Sequence, residues 1–221
     1  MAVVFSAADG AAQSASNPTN YTPTGGLAVG IRHIFGVRVV GTTVTSVTDN
    51  GGNTYTQLAT AFNTLGTFTN HVFECIVGTA ATIVTVNYAA VPTGSPVSHS
   101  YRASGANNSI AAQIVFSVNN ATLTTTDGIT SGPLTPAAVP GLLIGWGSPS
   151  FGGNSLTAGT GFTSRGAANT ANERFEDKAM SAITATSATF TGAANGSANT
   201  YAIYLQEAAA VVQSNRVIFI G

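Results

Sequence analysis

Apolar and polar positions along this chain fall into short runs with a period of two, each closed by Gly, Asn, Pro or Ser. Val84-Thr85-Val86-Asn87-Tyr88 and Thr200-Tyr201-Ala202-Ile203-Tyr204-Leu205 are the clearest examples. That alternation sends one face of a strand into a core and the other to solvent. No segment offers a helical stripe. Strands are predicted over 27–40, 43–48, 54–59, 70–77, 83–88, 97–102, 111–118, 141–147, 162–165, 174–181, 188–191, 200–207 and 216–220. So many short strands exceed what one open sheet holds, so the fold class is all-β, a two-sheet jelly-roll-like β-sandwich. Its core draws on Val39, Val44, Leu58, Phe73, Cys75, Val84, Val86, Ile114, Phe116, Leu143, Trp146, Phe190 and Ile203. Asp49-Asn50-Gly51-Gly52 reads as a tight hairpin link, since Asn and Gly accept positive φ. Pro133, Pro136 and Pro140 mark 132–141 as a crossing between sheets, because proline cannot donate to a central ladder.

The ends read differently. Residues 6–26 show no periodicity and no large apolar side chain except Tyr21. The predicted organisation is therefore an extended N-terminal arm over 1–26, a β-sandwich domain over 27–212 and a C-terminal strand or tail over 213–221. The arm either reaches onto a neighbouring subunit or folds over its own sandwich. Met1-Ala2-Val3-Val4-Phe5 has no basic n-region and no long apolar h-region, so no secretory signal is expected there. The most apolar stretch, 27–40, contains Arg32, His33 and Arg38 and is too short for a bilayer span, so no membrane partner is expected.

Composition changes the picture most through what is scarce. Asp, Glu, Lys and Arg make up 7% of the 221 residues, against about 25% in an ordinary soluble domain. The net charge is −1 and the seven Lys and Arg are scattered, so nucleic acid is not an expected partner. A surface of hydroxyls, amides and small side chains suits a protein packed against copies of itself.

Candidate chemistry is sparse. Cys75 is the single cysteine, which excludes an internal disulfide, and its apolar run predicts a buried, inert thiol. His33, His71 and His99 have no metal-ligand spacing, so no metal and no other cofactor is expected. Asp49 with Asn50 and Asn53 could ring a Ca²⁺ ion, but an Asx turn needs the same residues with no ion. Gly159-Thr160-Gly161-Phe162-Thr163-Ser164 lacks the third glycine of a dinucleotide loop and reads as a β-turn. No G-x-S-x-G elbow surrounds any serine. The charged run Glu173-Arg174-Phe175-Glu176-Asp177-Lys178 places Glu173 and Asp177 on one side of a strand and Glu176 on the other, so no carboxylate pair faces across a cleft. It is read as an exposed strand whose charges either solubilise the surface or make inter-subunit salt bridges. No catalytic residue is predicted and the chain is not expected to be an enzyme.

Four motifs carry a resemblance. Val44-Thr45-Ser46-Val47-Thr48-Asp49-Asn50-Gly51-Gly52-Asn53-Thr54-Tyr55-Thr56, Ala81-Thr82-Ile83-Val84-Thr85-Val86, Pro140-Gly141-Leu142-Leu143-Ile144 and Gly159-Thr160-Gly161-Phe162-Thr163 follow in that order. The arrangement resembles β-sandwich modules of phage virion proteins and of repetitive bacterial surface proteins. What the resemblance implies is a structural or adhesive module without catalysis. With the low charge, it leads to the expectation of a capsid decoration protein at the phage particle surface, a homotrimer that also contacts the major capsid protein. Candidate inter-subunit contacts are Tyr21, Glu173, Arg174, Glu176, Asp177, Lys178 and Arg216. The alternative is a tail-fibre, receptor-binding or adhesin module at an extracellular surface, binding glycan in a shallow groove that includes Tyr55 or Tyr101.

Overall fold

A computed structural model describes residues 2–64, 67–119, 128–149, 156–166, 173–192 and 197–208. It contains sixteen strands and, among the described residues, no helix. In the first half these are β1 (Val4–Ala12), β2 (Thr19–Tyr21), β3 (Arg32–Val40), β4 (Val44–Asp49), β5 (Tyr55–Asn63), β6 (Phe68–Ile76), β7 (Val84–Tyr88) and β8 (Val97–Ser104). The second half holds β9 (Gln113–Asn119), β10 (Gly128–Thr130), β11 (Gly141–Pro149), β12 (Leu156–Ala158), β13 (Thr163–Gly166), β14 (Arg174–Met180), β15 (Thr189–Gly192) and β16 (Ala198–Gln206).

The pairing is nested: β1 with β8, β2 with β7 and β3 with β6, all antiparallel. A long hairpin rolled on itself produces this order, which is how a jelly roll is built. It gives a five-stranded sheet β1-β8-β3-β6-β5 and a three-stranded sheet β2-β7-β4. Adding eight to every strand number gives the other two sheets, β9-β16-β11-β14-β13 and β10-β15-β12. The chain is thus two jelly rolls of one topology in tandem. The all-β sandwich read from the sequence is what folds, but in four sheets rather than two.

Burial explains the layering. Odd positions of β3 and β6, including Phe35, Val37, Val39, Phe73 and Cys75, pack with Val44, Val47, Val84 and Val86 inside the first roll. Even positions Ile34 and Val72, with Tyr101 and Ala103 of β8, pack instead on Leu142, Ile144, Trp146, Phe175, Tyr201 and Ile203 of the second roll. The two five-stranded sheets therefore lie face to face, with β1 against β13 and β5 against β9. Their central strands are buried on both faces, and Gly141–Pro149 has no exposed position. At Gly36 the absence of a side chain is required, since a Cβ would come within 2.8 Å of the Trp146 ring.

Three expectations change here. Residues 1–26 are not an appended arm: β1 and β2 are strands of the first roll, and Tyr21 is buried in its core. The turn at Asp49 is not a hairpin, because β4 and β5 belong to different sheets; it is the corner between them. Phe116, placed in the core by its alternation, is 43% exposed because β9 is an edge strand. The prolines of 132–141 do mark a crossing, from β10 in the small sheet to β11 in the large one.

Candidate functional site

Alternation along β14 sends Glu173 and Asp177 to one face and Glu176 to the other, as the sequence predicts, but the strand is interior rather than exposed. Glu173, Glu176 and Asp177 are buried, while Arg174 and Lys178 are half-buried. β14 lies between β11 and β13, with the first roll over one face and the second roll's own core under the other. Burial removes Tyr21, Glu173, Glu176 and Asp177 from any subunit surface. Arg216 and the 213–221 tail lie outside the described residues.

Glu173 and Asp177 instead join the two rolls. Arg38 Nε of β3 meets Glu173 Oε1 at 3.0 Å, and the His99 ring of β8 lies against Glu173 Oε2. Ser148 donates to Glu173 at 3.1 Å and accepts from Asn70 at 2.9 Å; Asn199 donates to Asn70 at 2.8 Å and accepts from Asn63 at 3.1 Å. This chain of groups crosses repeatedly between the rolls along one seam. Burial by itself raises a carboxyl, but attraction to His99 and Arg38 outweighs it and holds Glu173 below its ordinary value. At the other end of the interface, the Tyr101 hydroxyl donates to Asp177 at 2.5 Å and Arg165 Nε donates to the same oxygen at 2.7 Å. Arg165 also stacks over Phe5 of β1, 4.2 Å from the ring centre. Burial pushes the Tyr101 hydroxyl well above its ordinary value, so it stays a donor.

Other ionic groups are held within a single roll. Glu176 accepts the backbone N–H groups of Gly159 and Thr189 at 2.8 and 3.0 Å, and its burial pushes the carboxyl up to about 7. Arg102 donates to Asp9 at 3.1 Å and to the carbonyls of Thr24 and Gly26, pinning the β2–β3 loop to β8. His33 bridges Tyr55 and Ser100 at 3.0 Å each, and burial lowers it to about 3. Burial lowers His71 to about 4. Asp49 accepts from the N–H groups of Gly51 and Asn53 at 3.0 Å, so the acidic corner is an Asx turn. Burial pushes the Cys75 thiol up to about 12, leaving it an inert core atom.

Among the described residues, these partners leave no carboxylate paired with a nucleophile or facing a second carboxylate across open space. Among the described residues no cluster of three His, Cys, Asp or Glu could hold a metal. Tyr101 is fully buried, whereas Tyr55 is half-buried with its hydroxyl engaged with His33 and Asp49.

Thirteen of the fifteen charged residues are described, all but Asp127 and Arg216. Six of the thirteen are buried and none is exposed. The exterior is Thr, Ser, Asn, Ala and Gly, with isolated apolar side chains such as Phe62 of β5 and Phe116 of β9, 55% and 43% exposed on edge strands that face each other. The edges β1, β5, β9 and β13 of the large sheets have no strand neighbour on their outer sides among the described residues. The sequence shows that charge is scarce; what it conceals is that the charge present is turned inward. The chain matches no protein-family model, no curated protein and no solved structure.

Proposed function

We propose that this protein is a structural component of a virus particle, a capsid decoration protein that adds cohesion through contacts between its copies and with the major capsid protein. The observation that carries this reading is the exterior's poverty in charge: none of the thirteen described charged residues is exposed. A free protein keeps itself dispersed by surface charge of both signs and a net charge away from zero. A surface of short hydroxyl and amide side chains forgoes that protection, but it loses little rotamer entropy when immobilised against a neighbour. With none of the thirteen described charged residues exposed, few charges must be desolvated on contact. Open sheet edges next to exposed Phe62 and Phe116 supply the hydrogen-bonding groups and apolar area such contacts use.

The copy that decorates is a homotrimer, and the reaction class is none: its work is mechanical. The test is native mass spectrometry of the purified chain together with quantitation in particles carrying its gene. The reading predicts a trimer in solution and many copies per particle. A monomer at all concentrations, with no copies retained by particles, contradicts it.

A further inference from the structure

A cavity of about 330 Å³ opens on the first roll, beside the link that carries the chain from β8 to β9. Its floor is the face of β3, β5 and β6 that elsewhere meets the second roll: Thr56 pairs with Glu74, and Arg32 with Ile76, in the same two-residue phase as Ile34. Arg32 and Glu74 are buried and joined at 2.6 Å. Arg32 also donates to the carbonyls of Asn107 and Ile110 at 2.8 and 2.7 Å, and the Ala112 N–H donates to Glu74 Oε2 at 3.1 Å. The link thereby locks the ion pair in place. All of Glu74's partners sit on Oε2; Oε1 has none among the described residues, and Glu74 lines the cavity. The exposed hydroxyls of Thr54 and Thr56 stand on the wall without hydrogen bonds among the described residues, and Ile76, 40% exposed, supplies an apolar side.

We propose that this cavity binds a neutral saccharide of one or two rings, an activity beyond the structural role proposed above. The floor is a cancelled pair of charges, so it offers no net attraction to an ion of either sign. What it does offer is a fixed carboxylate oxygen, an acceptor that forms a charge-assisted bond with a neutral hydroxyl donor. Threonine hydroxyls give and accept hydrogen bonds, matching adjacent sugar hydroxyls, while Ile76 meets a C–H face. The volume lies at the small end of the range for small-ligand sites, about 300 to 1,000 Å³, which limits the occupant to a short saccharide. The Asn53 side chain, engaged with Asp49 and with the backbone of Gly78 and Thr79, holds the rim and stays out of the cavity's chemistry.

The test is titration of the full chain, followed by NMR, with glucose, galactose, mannose, N-acetylglucosamine and their neutral disaccharides, alongside 3′-sialyllactose. At least one neutral sugar is expected to bind with a Kd below about 10 mM and to shift the signals of residues 54–56 and 74–76. Glu74→Gln should weaken it about tenfold, the loss of a hydrogen bond to a charged group. Glu74 is buried, so Thr56→Trp provides a second variant that fills the cavity from an exposed position and should abolish binding while leaving the fold's circular dichroism unchanged. No response to any neutral sugar at about 50 mM, far above that Kd, would overturn the proposal. So would binding that survives Thr56→Trp, or a preference for 3′-sialyllactose. Oligomer mass is read separately, so failure here leaves the structural role standing.

Discussion

Glu173 is the residue on which the contact between the rolls most depends, because it is buried against Arg38 and His99. Removing one member of a buried ionic set leaves the others uncompensated, at about 3 to 5 kcal/mol. Glu173→Gln should therefore lower the unfolding free energy in urea by about 3 kcal/mol. Asp177→Asn should cost less, since Arg165 is 28% exposed and water replaces part of what it loses. Gly36→Ala should cost about 1 to 3 kcal/mol by driving a methyl group into Trp146. The buried histidines set the pH response. His33 and His71, lowered to about 3 and about 4, stay neutral in the fold while the unfolded chain protonates them below pH 6.5, so stability falls as pH drops through that window. Glu176 acts in the opposite sense: raised to about 7, it holds a proton in the fold that the unfolded chain has released above 4.5, so its contribution to stability falls as pH rises through that range. Between pH 4.5 and 6.5 the net difference is one proton, a slope of about 1.4 kcal/mol per pH unit. Glu176→Gln removes the opposing term and should double the slope in denaturation measured at pH 5, 5.5 and 6; an unchanged slope would show that Glu176 is ionised in the fold.

At the scale of elements, the strands were largely legible and their duplication was not. Twelve of the sixteen strands overlap runs predicted from alternation and turn residues. The four that escape, β1, β2, β10 and β12, are short or built from small residues such as Ala7, Ala8, Gly10 and Ala11, whose small side chains leave no hydrophobic period to read. The repeat hides because the two rolls keep topology without keeping side chains. A trace does survive at matching places. Val3-Val4-Phe5-Ser6 opens the first roll and Ile114-Val115-Phe116-Ser117 the second, and the two phenylalanines lie 5.3 and 5.6 Å from Tyr101 and Tyr201. The Asp49 corner between β4 and β5 likewise corresponds to the Gly159 corner between β12 and β13. The charged strand was misread for a related reason: alternation tells which side a residue takes, but not that a second sheet covers that side. Tandem rolls joined through their large sheets cannot be separated cheaply. A fragment of residues 1–111 uncovers Ile34, Val72 and Tyr101 together with Arg38 and His99. It should dimerise or aggregate rather than persist as a folded monomer, as read by analytical ultracentrifugation. A well-folded monomeric fragment would contradict the seam's structural weight.

At the scale of the whole molecule, the distribution of charge runs opposite to that of an ordinary soluble protein. The few ionic groups hold the interior and the seam, and the exterior is left to hydroxyls, amides and small apolar side chains. Contacts made by such an exterior have little Coulombic content. Their strength should therefore be indifferent to screening, which shortens the Debye length from about 10 Å at 0.1 M salt to about 3 Å at 1 M. Sedimentation of the purified chain across that range of salt tests this most directly. A trimer whose dissociation constant changes by less than about threefold agrees with assembly through an uncharged surface. Dissociation that strengthens by orders of magnitude with added salt, or a single monomeric species at every concentration, would contradict it.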